Sequence, residues 1–335
     1  MKVLLAGASG AIGMPIARQL IAHDHEVLGL IRSHAGAGRL AALGATAVVA
    51  DALDRDGLLR AVDGLSADAV IHELTALRKP PLRHSGMTQT DRLRTEGSTN
   101  LLAAAEVLGA KRFVTQSIIL GYGYSDHGDH LLTEEAPFGI PAGNKSDPHI
   151  AAMRSAERQA FTAPEGIALR YGLLYGGDAE QMRALLARRA LPVTRGGLLG
   201  WVHHEDAARV TVAALEHGQA GEAYNIVDDR PASWQEVFTA MARAFGAPPP
   251  RRLPGWMLRI AAPFIASTID SSMRVSNAKA KTELGWRLMF PTYREGVQAM
   301  ASRGHAGAGV SSGHAGAGIS RAHAGAATPG DPSGK

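Results

Sequence analysis

The sequence predicts an α/β fold in which a doubly wound parallel sheet is followed by a smaller C-terminal substrate lobe and a disordered tail. Three observations predict it: short apolar segments alternate with helical segments through the first half, a glycine-rich turn follows the first apolar segment, and the pattern loosens after about residue 172. We therefore assign residues 1–172 to a first domain and 173–303 to a lobe partly interleaved with it. Residues 304–335 form the tail.

The strands are predicted from short apolar segments rich in β-branched residues, and the helices from apolar side chains at three- and four-residue spacing. The strands are residues 3–6, 26–31, 45–50, 69–72, 112–116 and 167–171. The helices between them are residues 10–22, 53–62 and 90–108. Crossover helices bury both faces of a parallel sheet, so its strands can be continuously apolar, as these are.

The last segment differs in composition from the rest. Residues 304–330 form a near-repeat of nine residues, led by His305, His314 and His323. The segment lacks bulky residues to bury, so we expect disorder. Spaced histidines could bind a metal, but without a rigid frame we predict no metal site.

Composition excludes several classes of protein. The chain has 335 residues with a formal net charge of +4, too weak a charge to indicate a nucleic-acid partner. Cysteine is absent, which excludes disulfides, thiolate catalysis and cysteine-ligated zinc. No apolar segment approaches the ~18 to 20 residues of a membrane span, and the amino terminus has no targeting pattern. We therefore expect a cytoplasmic protein without a membrane partner.

A glycine-rich turn joins the first predicted strand to the first predicted helix. Residues 6–13 read Ala-Gly-Ala-Ser-Gly-Ala-Ile-Gly. Gly7 would make the tight turn, Gly10 would let a phosphate approach, and Gly13 would let helix and strand pack closely. Free N–H groups and the positive end of the helix dipole then point to one place, where a pyrophosphate can sit. This predicts a Rossmann-type dinucleotide site formed by Gly7, Ser9, Gly10, Ala11, Ile12 and Gly13.

The end of the second predicted strand indicates which dinucleotide is bound. NAD-selective sites commonly have an acidic residue there for the ribose 2′-hydroxyl, whereas this chain has Arg32 and Ser33. A guanidinium can pair with a 2′-phosphate. We therefore predict NADP rather than NAD, although an arginine after a strand can also be merely solvated.

Several further motifs resemble the short-chain dehydrogenase/reductase superfamily, specifically its extended branch of NAD-dependent epimerases and dehydratases. The resemblance runs from residue 2 to about residue 300 and includes the glycine turn and residues 49–53, 70–75, 96–102, 169–176, 202–208, 223–227 and 274–286. It implies further cofactor contacts from Asp51, Ala52, Leu74, Thr75, Ala76, Gln116, Tyr171 and Gly172. The family often dimerises through two helices, here roughly 90–108 and 149–162, so a homodimer is possible.

The catalytic pattern of that family is absent. Its members typically hold a Tyr and a Lys four residues apart on one helix face, but none of the six tyrosines here has a lysine four positions later. Aligning the active-site helix on Glu157 puts His149 at the Tyr position and Met153 at the Lys position. Aligning the fifth strand puts Ile118 at the Ser/Thr position, with Ser117 one residue earlier. Arg94 falls where a helper Asn is expected.

Four residues are the candidate replacements: His149, Tyr122, Arg94 and Ser117. A histidine can donate a proton near neutral pH, and an arginine can stabilise an oxyanion. Tyr122 or Tyr124 lies in the loop expected to cover the nicotinamide. Structural roles are equally open for these residues: a histidine at a helix start, loop aromatics packed in a core, and an arginine paired with a carboxylate such as Glu73.

Three functions fit an intact cofactor half beside an altered catalytic half. The first is an atypical NADP-dependent oxidoreductase of the epimerase/dehydratase type, acting on a small carbonyl, alcohol or sugar-like substrate. The second is a redox sensor or scaffold that binds NADP and does no chemistry. The third is a redox-neutral isomerase or dehydratase with a tightly held cofactor.

Overall fold

The computed structural model describes residues 1–77 and 79–311, of which 304–311 are described by their backbone alone. Seven of the described strands form one parallel sheet in the order β11-β7-β5-β4-β1-β2-β3. The described strands are β1 (Lys2–Ala6), β2 (Glu26–Ile31), β3 (Thr46–Val49), β4 (Ala69–His72), β5 (Arg112–Ile118), β6 (Asp126–Leu132), β7 (Glu165–Tyr171), β8 (Leu173–Tyr175), β9 (Leu198–Leu199), β10 (Trp201–His203), β11 (Ala223–Ile226), β12 (Ala232–Ser233) and β13 (Ser272–Val275).

Helices cover both faces of this sheet. The described helices are α1 (Gly13–Ala22), α2 (Ala37–Ala41), α3 (Arg55–Val62), α4 (Thr88–Arg92), α5 (Ser98–Leu108), α6 (Asp147–Ala160), α7 (Ala179–Ala187), α8 (His204–His217), α9 (Trp234–Ala244), α10 (Gly255–Ala261), α11 (Pro263–Asp270), α12 (Ala278–Glu283) and α13 (Tyr293–Ser311). A π-helical turn, Leu93–Gly97, joins α4 to α5 without a break.

The predicted α/β fold is confirmed. Continuous apolar strands separate two cores, one against α1 and α8 and the other against α3 and α5. Each of the six predicted strands exists, with bounds that differ from the prediction by at most two residues. The seventh strand of the sheet, β11, comes from the part of the sequence assigned to the second lobe and forms the sheet edge beside β7.

The chain after β7 builds the walls of a cleft above the carboxyl edge of the sheet. Helices α7, α9 and α13 pack around a cluster that includes Trp201, Phe238 and Met300. Helix α13 continues past residue 303, where the predicted tail begins, and residues 312–335 lie outside the described residues. Within the described part of the chain, no helix is long and apolar enough to cross a membrane.

A buried ion pair fastens α6 to the sheet. The Arg170 guanidinium on β7 donates from Nε and Nη2 to the two carboxylate oxygens of Glu157, at 2.9 and 2.8 Å. Its Nη1 donates to the Tyr122 hydroxyl at 3.0 Å, and the guanidinium lies 3.8 Å from the centre of the Phe138 ring. The side chains of Arg170 and Glu157 are 7% and 5% exposed, so neither charge is compensated by water.

We expect Glu157→Gln to lower the free energy of unfolding by about 3 kcal/mol, because the variant leaves the Arg170 charge buried without its carboxylate. Urea denaturation measures this difference. The matched control is Glu96→Gln, which removes a solvent-exposed pair with Arg92 and should change stability little. Equal stability of the two variants would contradict the structural role of the buried pair.

Candidate active site

A single cleft of about 1660 Å³ lies over the carboxyl ends of β1, β2, β4, β5 and β7. It opens between the ends of β1 and β4. The chain leaves these two neighbouring strands toward opposite edges of the sheet, which makes this the topological switch point at which open α/β sheets bind ligands. Its walls come from the sheet edge on one side and from α7, α9, α10 and α11 on the other. The cleft is therefore the candidate active site.

The glycine turn at one end of the cleft fits a pyrophosphate. Gly7 has φ of +89°, and a Cβ on it would lie 2.8 Å from the carbonyl oxygen of Glu73. A Cβ on Gly13 would lie 2.1 Å from the carbonyl oxygen of Gly7, so only glycine permits this packing. The N-terminus of α1 has no side-chain cap and no acidic residue in its first turn, so nothing there opposes an anion at the positive end of the helix dipole. Gly7, Ser9, Gly10, Ala11 and Ile12 line the cleft here, while Gly13 lies behind them.

Two arginines lie beside the glycine turn. Arg32 and Ser33 follow β2 and line the cleft, as the sequence predicts. Arg39 on α2 lines the same wall, and its Nη2 donates to the carbonyl oxygen of Ser9 at 3.4 Å. The sequence analysis did not single out Arg39. Asp51 and Ala52, which follow β3, also line the cleft.

The turn after β4 forms the next part of the wall. Leu74, Thr75 and Ala76 line the cleft, and Gln116 at the end of β5 donates to the carbonyl oxygen of Leu74 at 2.8 Å. Tyr171 and Gly172 also line it, although the Tyr171 hydroxyl is buried and bonded to Glu73 and Thr211. All these predicted cofactor residues therefore lie at one site.

Two predicted catalytic residues, Arg94 and Ser117, lie at the other end of the cleft with Tyr124, the alternative to Tyr122. Arg94 lies in the π-helical turn, Ser117 on β5, and Tyr124 in the segment that follows β5. All three line the cleft, together with Ile118 and Met153. Arg94 Nε and Nη1, Ser117 Oγ and Tyr124 Oη are buried and have no hydrogen-bond partner among the described residues. Such groups are available to a ligand.

His149 was a wrong choice for a direct proton donor. Its side chain is 4% exposed and does not line the cleft, because the Phe264 ring packs edge-on against it. Its Nδ1 lies 2.6 Å from Asp91 Oδ2, and its Nε2 lies 3.1 Å from His84 Nδ1. Its Nδ1 faces the Asp91 carboxylate and its Nε2 faces His84, so both ring nitrogens are engaged within the protein.

Tyr122 was also a wrong choice. Its hydroxyl accepts from Arg170 and donates to Asn225 Oδ1 at 2.8 Å, and its ring packs edge-on against Phe138. It does not line the cleft. Tyr124, the other tyrosine of this loop, is the one that does. Burial raises the pKa of Tyr124, an effect that the Arg94 charge opposes.

Glu73 is a buried acid beside the cleft that the sequence analysis considered only as a partner for Arg94. It is 4% exposed, accepts from the Tyr171 hydroxyl at 3.0 Å, and has no partner for Oε2 in the described structure. Burial raises its pKa to about 8. Glu73 is therefore largely protonated at neutral pH and adds no full negative charge near the glycine turn.

Other polar clusters lie outside the cleft. Arg274 pairs with Asp129 at 2.7 Å on the surface and does not line the cleft. Among the side chains that the structure describes, those of residues 1–77 and 79–303, no group of three or more potential metal ligands is arranged to hold an ion.

A family model matches the part of the chain that builds the sheet and the cofactor end of the cleft. The NAD dependent epimerase/dehydratase family model matches residues 3–227. The chain belongs to this family.

Two curated relatives are reductases by name. The chain is 37% identical over 314 residues to the 3-diazoavenalumate denitrifying reductase of a Streptomyces species, a match that covers 89% of this chain and 99% of the relative. It is 28% identical over 268 residues to the 2-alkyl-3-oxoalkanoate reductase of Stenotrophomonas maltophilia, covering 74% and 77%.

Solved structures share the fold. The UDP-glucose 4-epimerase of Thermotoga maritima, solved with UDP-glucose, superposes with a TM-score of 0.74 at 21% identity, over 92% of this chain and 100% of that one. A human epimerase family protein solved with NADPH has a TM-score of 0.72 at 19% identity, over 90% and 99%. At this identity the likeness concerns the fold alone.

The raised pKa of Glu73 predicts a stability change with pH. A glutamate titrates near pH 4.5 when unfolded, but Glu73 does so near pH 8 when folded. Unfolding between these values releases a proton, so the free energy of unfolding falls as pH rises, by up to about 1.4 kcal/mol per pH unit. We expect Glu73→Gln to remove this decline, measured by urea denaturation across the range.

Asp228, whose pKa burial also raises to about 8, is present in both proteins, so the difference isolates Glu73. Parallel pH profiles of the two proteins would contradict the assignment.

Proposed function

We propose that the protein is an NADPH-dependent reductase whose substrate is a small diazo compound. The observation that carries the proposal is the continuity of the cleft. It runs without interruption from the arginines beside the glycine turn to the unpartnered groups of Arg94, Ser117 and Tyr124. A dinucleotide and a second small molecule can therefore share one enclosed space.

The preference for NADPH is supported by the charge at the adenosine end. Arg32 and Arg39 both line the cleft near Ser33, and the residues that directly follow β2 include no acid. Guanidinium groups bind phosphate through charge-assisted hydrogen bonds, and a 2′-phosphate is what distinguishes NADPH from NADH. NADPH is also the cofactor named for the human family member.

The choice of a diazo compound as the hydride acceptor is supported by the residues that α6 contributes to the cleft. None of the tyrosines of the sequence has a lysine four residues later, and α6 contributes Met153 rather than an acid to the cleft. Reduction of a carbonyl needs a proton on oxygen, whereas a diazonium group is already cationic and needs no proton to accept a hydride. The named substrate of the Streptomyces relative is a diazo compound.

Bound NADPH would supply a hydride to the terminal nitrogen of the substrate's diazonium form, giving a diazene. Loss of N₂ would then break the C–N bond, and the hydrogen on nitrogen would pass to carbon as a proton. The protein's own residues exclude water and orient the substrate. Leu120, Met153 and Phe264 form an apolar wall, and the free hydroxyls of Ser117 and Tyr124 lie available in the same cleft.

We expect Arg32→Ala and Arg39→Ala each to weaken NADPH binding by ~10-fold or more, because each removes a charge-assisted contact to the 2′-phosphate. NADH binding should change little in either variant. Fluorescence titration measures both affinities. Arg60→Ala on α3, an exposed arginine outside the cleft, is the matched control. Tighter binding of NADH than NADPH by the wild-type protein would contradict the cofactor assignment.

The substrate assignment is tested with the two compounds named for the relatives. With NADPH and 3-diazoavenalumate we expect N₂ release and loss of NADPH absorbance, both dependent on the protein. With a 2-alkyl-3-oxoalkanoate we expect no NADPH loss, since no acid from α6 serves the carbonyl. Turnover of the oxoalkanoate alone would indicate a carbonyl reductase. Different affinities for NADP⁺ and NADPH without turnover of either compound would indicate a sensor.

A further inference from the structure

Two arginines in the described part of the chain are buried, and only one of them is hydrogen-bonded to a carboxylate. Arg170 donates from Nε and Nη2 to the two carboxylate oxygens of Glu157. Arg94 is 4% exposed, and its Nε and Nη1 have no hydrogen-bond partner in the described part of the chain. Its nearest carboxylate oxygen, Asp91 Oδ1, lies 3.8 Å from Nη1, beyond hydrogen-bond distance. Burying a guanidinium without hydrogen-bond acceptors costs free energy of folding unless a ligand supplies those acceptors.

The carboxylate behind Arg94 is engaged elsewhere. Asp91 Oδ2 accepts a 2.6 Å hydrogen bond from His149 Nδ1, and His149 Nε2 lies 3.1 Å from His84 Nδ1. The two histidine rings are stacked with an interplanar angle of 5°, and Phe264 packs edge-on against both. This arrangement keeps Asp91 directed toward His149 and leaves the guanidinium without a bidentate partner. Burial lowers the pKa of Arg94, as expected of a charge that has lost its water.

Arg94 lines the cleft beside two more unpartnered donors. Ser117 Oγ and Tyr124 Oη are buried, line the cleft and make no hydrogen bond within the described structure. The wall around them is apolar, with Met153 and Phe264 among its residues. The arrangement suits an organic anion whose charged group meets the guanidinium and whose body packs against the apolar wall.

We infer that Arg94, assisted by Tyr124 and Ser117, binds a carboxylate of the substrate, so that this enzyme acts on an organic acid. The planar guanidinium fork matches the two oxygens of a carboxylate. The inference rests on the proposed function only in taking the cleft to be the substrate site, and its test needs no turnover. Arg94 is thereby assigned to substrate recognition rather than to the cofactor.

The test uses cinnamate and its neutral isostere cinnamamide as probes, titrated by calorimetry into the NADP⁺-loaded protein. We expect cinnamate to bind ~10-fold or more tightly than cinnamamide, the effect of one charge-assisted contact. The Arg94→Met variant should bind cinnamate no more tightly than cinnamamide, and its affinity for NADPH should be unchanged. Tyr124→Phe should weaken cinnamate by a smaller factor.

Melting temperature without probe gives an independent readout. Arg94→Met should melt no lower than the wild type, because it removes a buried charge that no carboxylate of the described structure hydrogen-bonds. The matched control is Arg170→Met, which strips the buried Glu157 of its partner and should melt several degrees lower.

Three results would overturn the inference. They are cinnamate binding no better than cinnamamide, loss of NADPH rather than cinnamate affinity in Arg94→Met, and destabilisation of Arg94→Met as large as that of Arg170→Met. Acid-selective binding without reduction of any diazo compound would instead leave the subsite standing and remove the proposed reaction.

Discussion

The close packing of the glycine turn against α1 is the constraint on which the rest of the site depends. A side chain at Gly13 would collide with the carbonyl oxygen of Gly7, so α1 can start only because position 13 is glycine. This contact sets the N-terminus of α1, the positive end of its dipole, at the switch point between β1 and β4. The parallel order of the sheet then brings the ends of β2, β4, β5 and β7 to the same edge. Most groups lining the sheet side of the cleft follow one of these strand ends, and Asp51 and Ala52 follow β3.

The two ends of the cleft obey different requirements. Binding at the cofactor end depends on the backbone geometry of the glycine turn and on Arg32 and Arg39, which line the same wall of the cleft. At the reacting end, α6 serves the structure instead: Glu157 holds Arg170, and His149 holds Asp91. The unpartnered polar groups lining the cleft at that end belong to Arg94, Ser117 and Tyr124. A reaction that needs a cation and orienting hydroxyls, but no strong acid, agrees with this division.

The sequence was most informative where the signal is local. The strands, the glycine turn and the position of Arg32 each depend on neighbouring residues, and the structure has them where they were expected. Arg94 and Ser117 were placed by counting from family motifs along continuous elements, and both line the cleft.

The errors arose where distant residues decide the outcome. Which tyrosine of the β5 loop faces the cleft depends on Arg170 and Asn225, which capture Tyr122. The direction of His149 depends on Asp91 and His84. Arg39 was missed because it lies just beyond a His-Ala-Gly-Ala-Gly segment, residues 34–38, that has no helical pattern of its own, although the chain is helical there.

The most direct test of the account is the ratio of NADPH oxidised to N₂ released when the purified protein is mixed with 3-diazoavenalumate. Hydride transfer followed by loss of nitrogen requires one NADPH for each N₂. The account predicts that ratio, with no N₂ released by the protein in the absence of NADPH. Release of N₂ without NADPH oxidation would contradict it, because the cofactor would then take no part as a reductant.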